Sequence, residues 1–248
     1  MDHETFVAHV RADADRIAEL AATGGLDEPA LTCPGWSVRD VVEHTAEVYL
    51  HKVASMRDKV LADTSTPGWP PPRGSEPTPE FFAAARDAVL HELSSRDPSE
   101  PCPTWWTDDQ TVGFWGRRMA HETAIHRLDV EIALGEVTPV DPDLAVDGID
   151  EVLRRMLAGD WSDEPVLEGA GTVLGVESGG RRWRIVLEPK AVVVTVPRQD
   201  YPVDATVSGD PVVLYRWAWG RGDAEGLTVG EDVRYLHLLR SRLSGATQ

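Results

Sequence analysis

From Glu4 to Ala22 the apolar residues Phe6, Val7, Val10, Ile17, Leu20 and Ala21 recur at three- and four-residue spacing, and Gly24-Gly25 follows. That spacing predicts an amphipathic helix, and the glycine pair predicts its end. After the loop LDEPALTCPGW, Ser37 is placed to cap a second helix running to about Leu61, with its stripe on Val38, Val41, Val42, Thr45, Val48 and Val53. Residues 63 to 79 are too rich in proline, serine and glycine for regular structure and read as a loop, lid or disordered segment. Thr78-Pro79 then supplies a cap and first position for a third helix, to about Ser95, on Phe81, Phe82, Ala85, Val89 and Leu93. A fourth runs from about Val112 to Leu134, with Gly135 where a C-terminal glycine cap belongs.

Four amphipathic helices joined by loops describe a four-helix bundle, a fold that commonly builds its sites from inward side chains on facing helices. After Pro139 the pattern changes. One more helix is expected from Pro142 to about Leu157, and then the β-branched runs RRWRIVLEP, KAVVVTVPR and PVDATVSGD read as a meander. PVVLYRWAWGR and VRYLHLLRSRL return to helical spacing. The expected organisation is a bundle over residues 1–138 and a small α+β domain over 139–248.

Bulk properties narrow the function classes. The chain of 248 residues carries 24 basic and 42 acidic side chains, a net charge of -18, which repels phosphate backbones and anionic lipid surfaces. Neither nucleic acid nor membrane is expected as a partner. No apolar run approaches the roughly 20 residues that span a bilayer, and the N-terminus lacks the pattern of a secretory signal, so a cytoplasmic location is expected. The two cysteines, Cys33 and Cys102, each stand beside proline and suit a reducing compartment as unreactive thiols. Oligomeric state leaves no trace in the sequence.

Chemistry concentrates on the fourth helix. Glu122 and His126 lie four apart, so at about 100° per residue their side chains are only about 40° apart around the axis. His121 points well off that face. A glutamate and histidine from one helix plus a histidine from a facing one supply three ligands, the number typical of catalytic zinc sites that keep a position open. His44 is the natural third ligand, and His51 competes for the role if the helix register differs. Two imidazoles and a carboxylate suit zinc, although nickel, iron and copper accept the same set. Arg39-Asp40 and the pair Arg127 and Asp129 read as helix-terminus charges and interhelical ion pairs. Trp36, Trp105, Trp106 and Trp115 fall near helix ends and read as packing residues.

The stretches CPGWSVRDVVEH (33 to 44), WGRRMAHETAIHRLDVEIALG (115 to 135) and, more faintly, LYRWAWGR (214 to 221) resemble the mycothiol-dependent maleylpyruvate isomerase family over nearly the whole chain. The resemblance implies a DinB-like metal-binding bundle followed by the family's α+β C-terminal domain. Its metal ligands map onto His44, Glu122 and His126, and its substrate-recognising arginine onto Arg221, a position that equally suits a partner for a helix C-terminus. It further implies a divalent ion, by default zinc, with mycothiol as cosubstrate and a small electrophile as substrate. The expected activity is S-transfer or cis-trans isomerisation. The rival from another class is a non-catalytic metal-containing protein that binds or senses a small molecule.

Overall fold

The computed structural model describes residues 1–61, 76–163, 169–199, 201–230 and 232–247, and the chain divides into two compact units, Met1–Pro139 and Val140–Gln248. The first unit is built from four helices: α1 (His3–Thr23), α2 (Val38–Asp58), α3 (Thr78–Ser95) and α4 (Val112–Leu134). Their ends follow local chemistry. Asp2 caps α1 by accepting from Thr5 N at 2.9 Å, Ser37 and Asp40 form a reciprocal capping box on α2, and Thr111 caps α4. Gly135 closes α4 at φ 80, a left-handed conformation that costs glycine little, with its N–H bonded to Glu131 O.

Two expected boundaries shift. The second helix stops at Asp58, where Lys59 turns left-handed at φ 55, rather than near Leu61. Thr78 is not the cap of α3: Pro77 holds that position, and Thr78 Oγ1 instead donates to Glu43 Oε1 of α2 at 2.5 Å. Most of the proline-rich stretch 63 to 79 lies outside the described residues.

The helix α1 packs chiefly on α4 and α3, and α2 on α3 and α4. Helix α4 is the central one, buried at nearly every position from Phe114 to Glu131. Trp115, Met119 and Leu128 fill the interior with Ile17, Tyr49, Met56, Phe82 and Leu93. The buried hydroxyl of Tyr49 meets Thr123 Oγ1 at 2.6 Å, and Thr123 Oγ1 donates to Met119 O, so Tyr49 is the donor that joins α2 to α4. Between α1 and α2 the loop folds back on itself, with Ala30 N donating to Trp36 O and Val38 N to Glu28 O, both at 2.8 Å.

In the second unit, α5 (Pro142–Glu151) continues into a π-helical stretch, Val152–Leu157. A six-stranded sheet follows: β1 (Gly159–Asp160), β2 (Val173–Ser178), β3 (Arg181–Leu187), β4 (Ala191–Thr195), β5 (Ala205–Ser208) and β6 (Thr228–Val229). Helix α6 (Pro211–Ala218) precedes β6, and α7 (Arg234–Thr247) ends the described chain. The spatial order is β1-β4-β3-β2-β5-β6, antiparallel except where β5 runs parallel to β2. The expected three-strand meander therefore needs correction. RRWRIVLEP and KAVVVTVPR do form a hairpin, but the third run pairs beyond β2, a strand that the sequence pattern does not predict. Trp183, fully buried on β3, donates through Nε1 to Asp150 Oδ1 at 2.8 Å and ties the sheet to α5. Helical bundle and α+β unit together are the expected fold class.

Candidate metal centre

Three side chains from two helices converge in the bundle. His44 Nε2 of α2 lies 3.6 Å from Glu122 Oε1 of α4, and His126 Nε2 lies 3.2 Å from the same oxygen. The imidazoles meet edge to face, their centroids 5.1 Å apart. One ligand atom from each residue lies within 4.8 Å of the other two. Two imidazole nitrogens and a carboxylate oxygen that already face one another need only small rotations to surround one divalent ion, so the donor set fits. His44 is 38 % exposed at its side chain against 10 % for His126, so the cluster opens on the His44 side.

The surroundings fix each member. Asp129 sits one helical turn beyond His126, and its Oδ2 lies 3.0 Å from His126 Nδ1. Thr32 Oγ1 donates to Asp129 Oδ1 at 2.5 Å and Cys33 Sγ to Oδ2 at 3.3 Å. With Asp129 as acceptor, His126 Nδ1 carries a hydrogen, and without metal the charged ring also donates from Nε2 to Glu122 Oε1, the nitrogen that a metal would take in place of that proton. Arg118, one turn before Glu122, pairs with Glu122 Oε2 and leaves Oε1 for the histidines. Trp36 lies tilted against His44 at 5.0 Å between centroids, so the loop that supplies Thr32 and Cys33 also borders the open side.

Charge follows from this geometry. Burial alone would raise the Glu122 carboxyl, but Arg118 and His126 outweigh it and hold the group well below the usual carboxylate range. Burial disfavours the charged form of His126, yet Glu122 and Asp129 raise its pKa to about 9 in the metal-free protein. Burial lowers Lys52 of α2 to about 8, partly offset by attraction to Glu122.

The other residues singled out in the sequence fall elsewhere. His51 is buried with Nδ1 at 2.9 Å from Lys52 Nζ, and His121 is fully buried edge-on to Phe6. Trp115 is buried, whereas Trp36 and Trp105 remain more than a third exposed. Arg127 reaches Asp13 of α1 at 2.9 Å and Glu131 at 2.7 Å, as expected of an interhelical ion pair. Asp129 does not share that pair. It faces the histidine, and the sequence signal for this was its i,i+3 spacing from His126. Cys33 likewise takes a place beside the cluster that its loop position did not suggest. Arg221 belongs to the second unit, buried, with Nη1 donating to Trp219 O at 2.6 Å in the turn after α6.

Fold and site together define a two-unit enzyme whose helical bundle carries a histidine–glutamate–histidine cluster ahead of an α+β unit. The chain belongs to the mycothiol maleylpyruvate isomerase family: residues 7–131 match the mycothiol maleylpyruvate isomerase N-terminal domain, and residues 143–236 the MDMPI C-terminal domain. Among solved structures it is similar to the mycothiol-dependent maleylpyruvate isomerase and to a histidine-to-alanine mutant of it. Each match has 17 % identity, a TM-score of 0.55 and 93 % coverage of both chains. At that identity the likeness is one of fold. No curated protein matches the chain.

Proposed function

We propose that this enzyme is a metal-dependent, thiol-using isomerase that converts a cis enedioate of the maleylpyruvate kind to its trans isomer, with mycothiol as cosubstrate. The observation that carries the reading is the convergence of His44 Nε2 and His126 Nε2 on Glu122 Oε1 in a chain of this family. His44, Glu122 and His126 would hold the ion, zinc by default. A divalent cation there supplies the positive charge that keeps a coordinating thiol deprotonated at neutral pH.

The chain's own residues do the rest. Asp129 keeps the hydrogen of His126 on Nδ1, so that Nε2 stays available. Arg118 holds Glu122 ionised and oriented. Trp36 flanks His44 on the open side of the cluster. The cosubstrate thiolate adds to one carbon of the cis double bond, rotation follows about the resulting single bond, and elimination of the same thiolate yields the trans product. Arg221 is proposed to recognise a substrate carboxylate. Support for that role comes from the family resemblance of its W-G-R stretch.

The test is elemental analysis of wild type, His44→Ala and His126→Ala, followed by incubation with mycothiol and maleylpyruvate and analysis of the products. About one equivalent of metal in wild type, lost in both variants, together with a trans product, is the expected result. Metal without turnover would move the protein to the binding or sensing class. A stable thiol adduct would make it an S-transferase.

A further inference from the structure

Lys52 of α2 has no part in the site chemistry above. It lies eight residues after His44 on α2, about 12 Å along the axis, and helical side chains lean toward the N-terminus, which for Lys52 means toward His44. Its ammonium stands 4.7 Å from the Trp115 ring centroid and 2.9 Å from His51 Nδ1. Among the described residues no carboxylate comes within ion-pair distance of it.

Arg118 stands on the facing helix, between Trp115 and Glu122. The two cations are close enough that Arg118 disfavours the charged form of Lys52, and the nearest negative charge felt by both is Glu122. Glu122, however, already gives Oε2 to Arg118 and Oε1 to the histidines. Arg118 has a counter-charge in Glu122, whereas Lys52 has no carboxylate at ion-pair distance among the described residues. A desolvated ammonium without an ion-pair partner is costly, and an anion beside Lys52 would relieve that cost. Lys52 remains partly exposed, so a ligand reaches it.

We infer that Lys52, backed by Arg118 and the Trp115 ring, forms an anion subsite beside the histidine–glutamate cluster and binds a carboxylate of the reacting molecules. The inference deepens the function proposed above and rests on it for the identity of those molecules. The carboxylate belongs either to the electrophile or to the thiol.

Calorimetric titration of the full chain separates these sources. Maleate serves as a thiol-free cis enedioate, glutathione as a carboxylate-bearing thiol, and 2-mercaptoethanol as a neutral thiol, each run on wild type, Lys52→Met and Lys52→Gln. The expected result is a roughly 10- to 100-fold weaker maleate affinity in both variants, with 2-mercaptoethanol unaffected. The same loss confined to glutathione would keep the subsite and assign it to the thiol. Wild type that binds neither anion, or variants that bind both as wild type does, would overturn the inference. Lys52→Gln retains a polar group for His51, so an unfolded Lys52→Met leaves the test intact. Elemental analysis of the same samples reads the metal proposal separately: a metal-free protein that binds maleate through Lys52 keeps the subsite and loses the metal.

Discussion

The Nδ1 atom of His126 lies 3.0 Å from Oδ2 of Asp129, whose two oxygens also accept from Cys33 and Thr32. Three donors from a loop and a helix thus fix one carboxylate, and that carboxylate fixes one imidazole. Replacing Asp129 with Asn keeps the shape but removes the charge and allows the amide to present a donor to Nδ1. Metal affinity is expected to fall about 10- to 100-fold, in line with losses at other carboxylate–histidine pairs. Competition with a chromophoric chelator measures it, and an unchanged affinity would detach Asp129 from the centre.

The pKa of His126 is raised to about 9 without metal, so the folded protein holds a proton that the unfolded chain releases near 6.5. This stabilisation is full below pH 6.5 and is lost as pH rises through 9. Lys52, lowered to about 8, has the opposite effect above pH 8. Between pH 6.5 and 8, chelator-treated wild type is therefore expected to lose stability relative to His126→Gln, by at most about 2 kcal/mol. Thermal melts of both proteins across that window test the sign.

Arg127 is almost fully buried between Asp13 of α1 and Glu131 of its own helix. Arg127→Met would leave two carboxylates with less compensation in the interior, Glu131 retaining Arg16 at 3.2 Å. Breaking a buried pair from one side costs about 3–5 kcal/mol, and Arg16 places the expected loss near the lower figure. Urea denaturation is the measurement. A loss under about 1 kcal/mol would mean that Arg16 and water replace the guanidinium.

For Arg221 the readout is a split between binding and stability. A role in substrate recognition predicts that Arg221→Gln raises KM at least about tenfold with Tm unchanged. A fall in Tm with unchanged KM would make Arg221 a structural residue of the turn after α6.

Helix α4 was legible from its unbroken helical run, Val112 to Leu134, and its glycine end at Gly135, although burial on nearly every side leaves it without the one-sided stripe of an amphipathic helix. The same helix carries Glu122 and His126 four apart, so part of the cluster could be read from one segment. Strand β2 was not legible: Val173, Leu174, Gly175 and Val176 lack the alternation of a half-buried strand, and Leu174, Gly175 and Val176 are buried in succession, so both faces of the strand are covered there. The partner of β5 was equally hidden, since nothing local distinguishes pairing with β2 from pairing with β4. Helical spacing puts Asp129 near the face of His126 but does not name its partners in the loop, and Lys52 looks like an ordinary charged helix position. Their surroundings come from the 26–37 loop and from the facing helix, and no single stretch of sequence contains both sides.

The parallel pairing of β2 with β5 also sets an order of events during synthesis. Leu174 meets Ala205 across 31 residues, and the hairpin of β3 and β4 must be made in between. The bundle closes with residues from the first unit alone, so it is free to fold while the ribosome is still extending the second. The sheet waits for its last interior strand, and such long-range pairing is slow. A nascent chain stalled before Ala205 would display a finished bundle and an exposed edge on β2, the point at which this protein is most open to capture by a chaperone or by another growing chain.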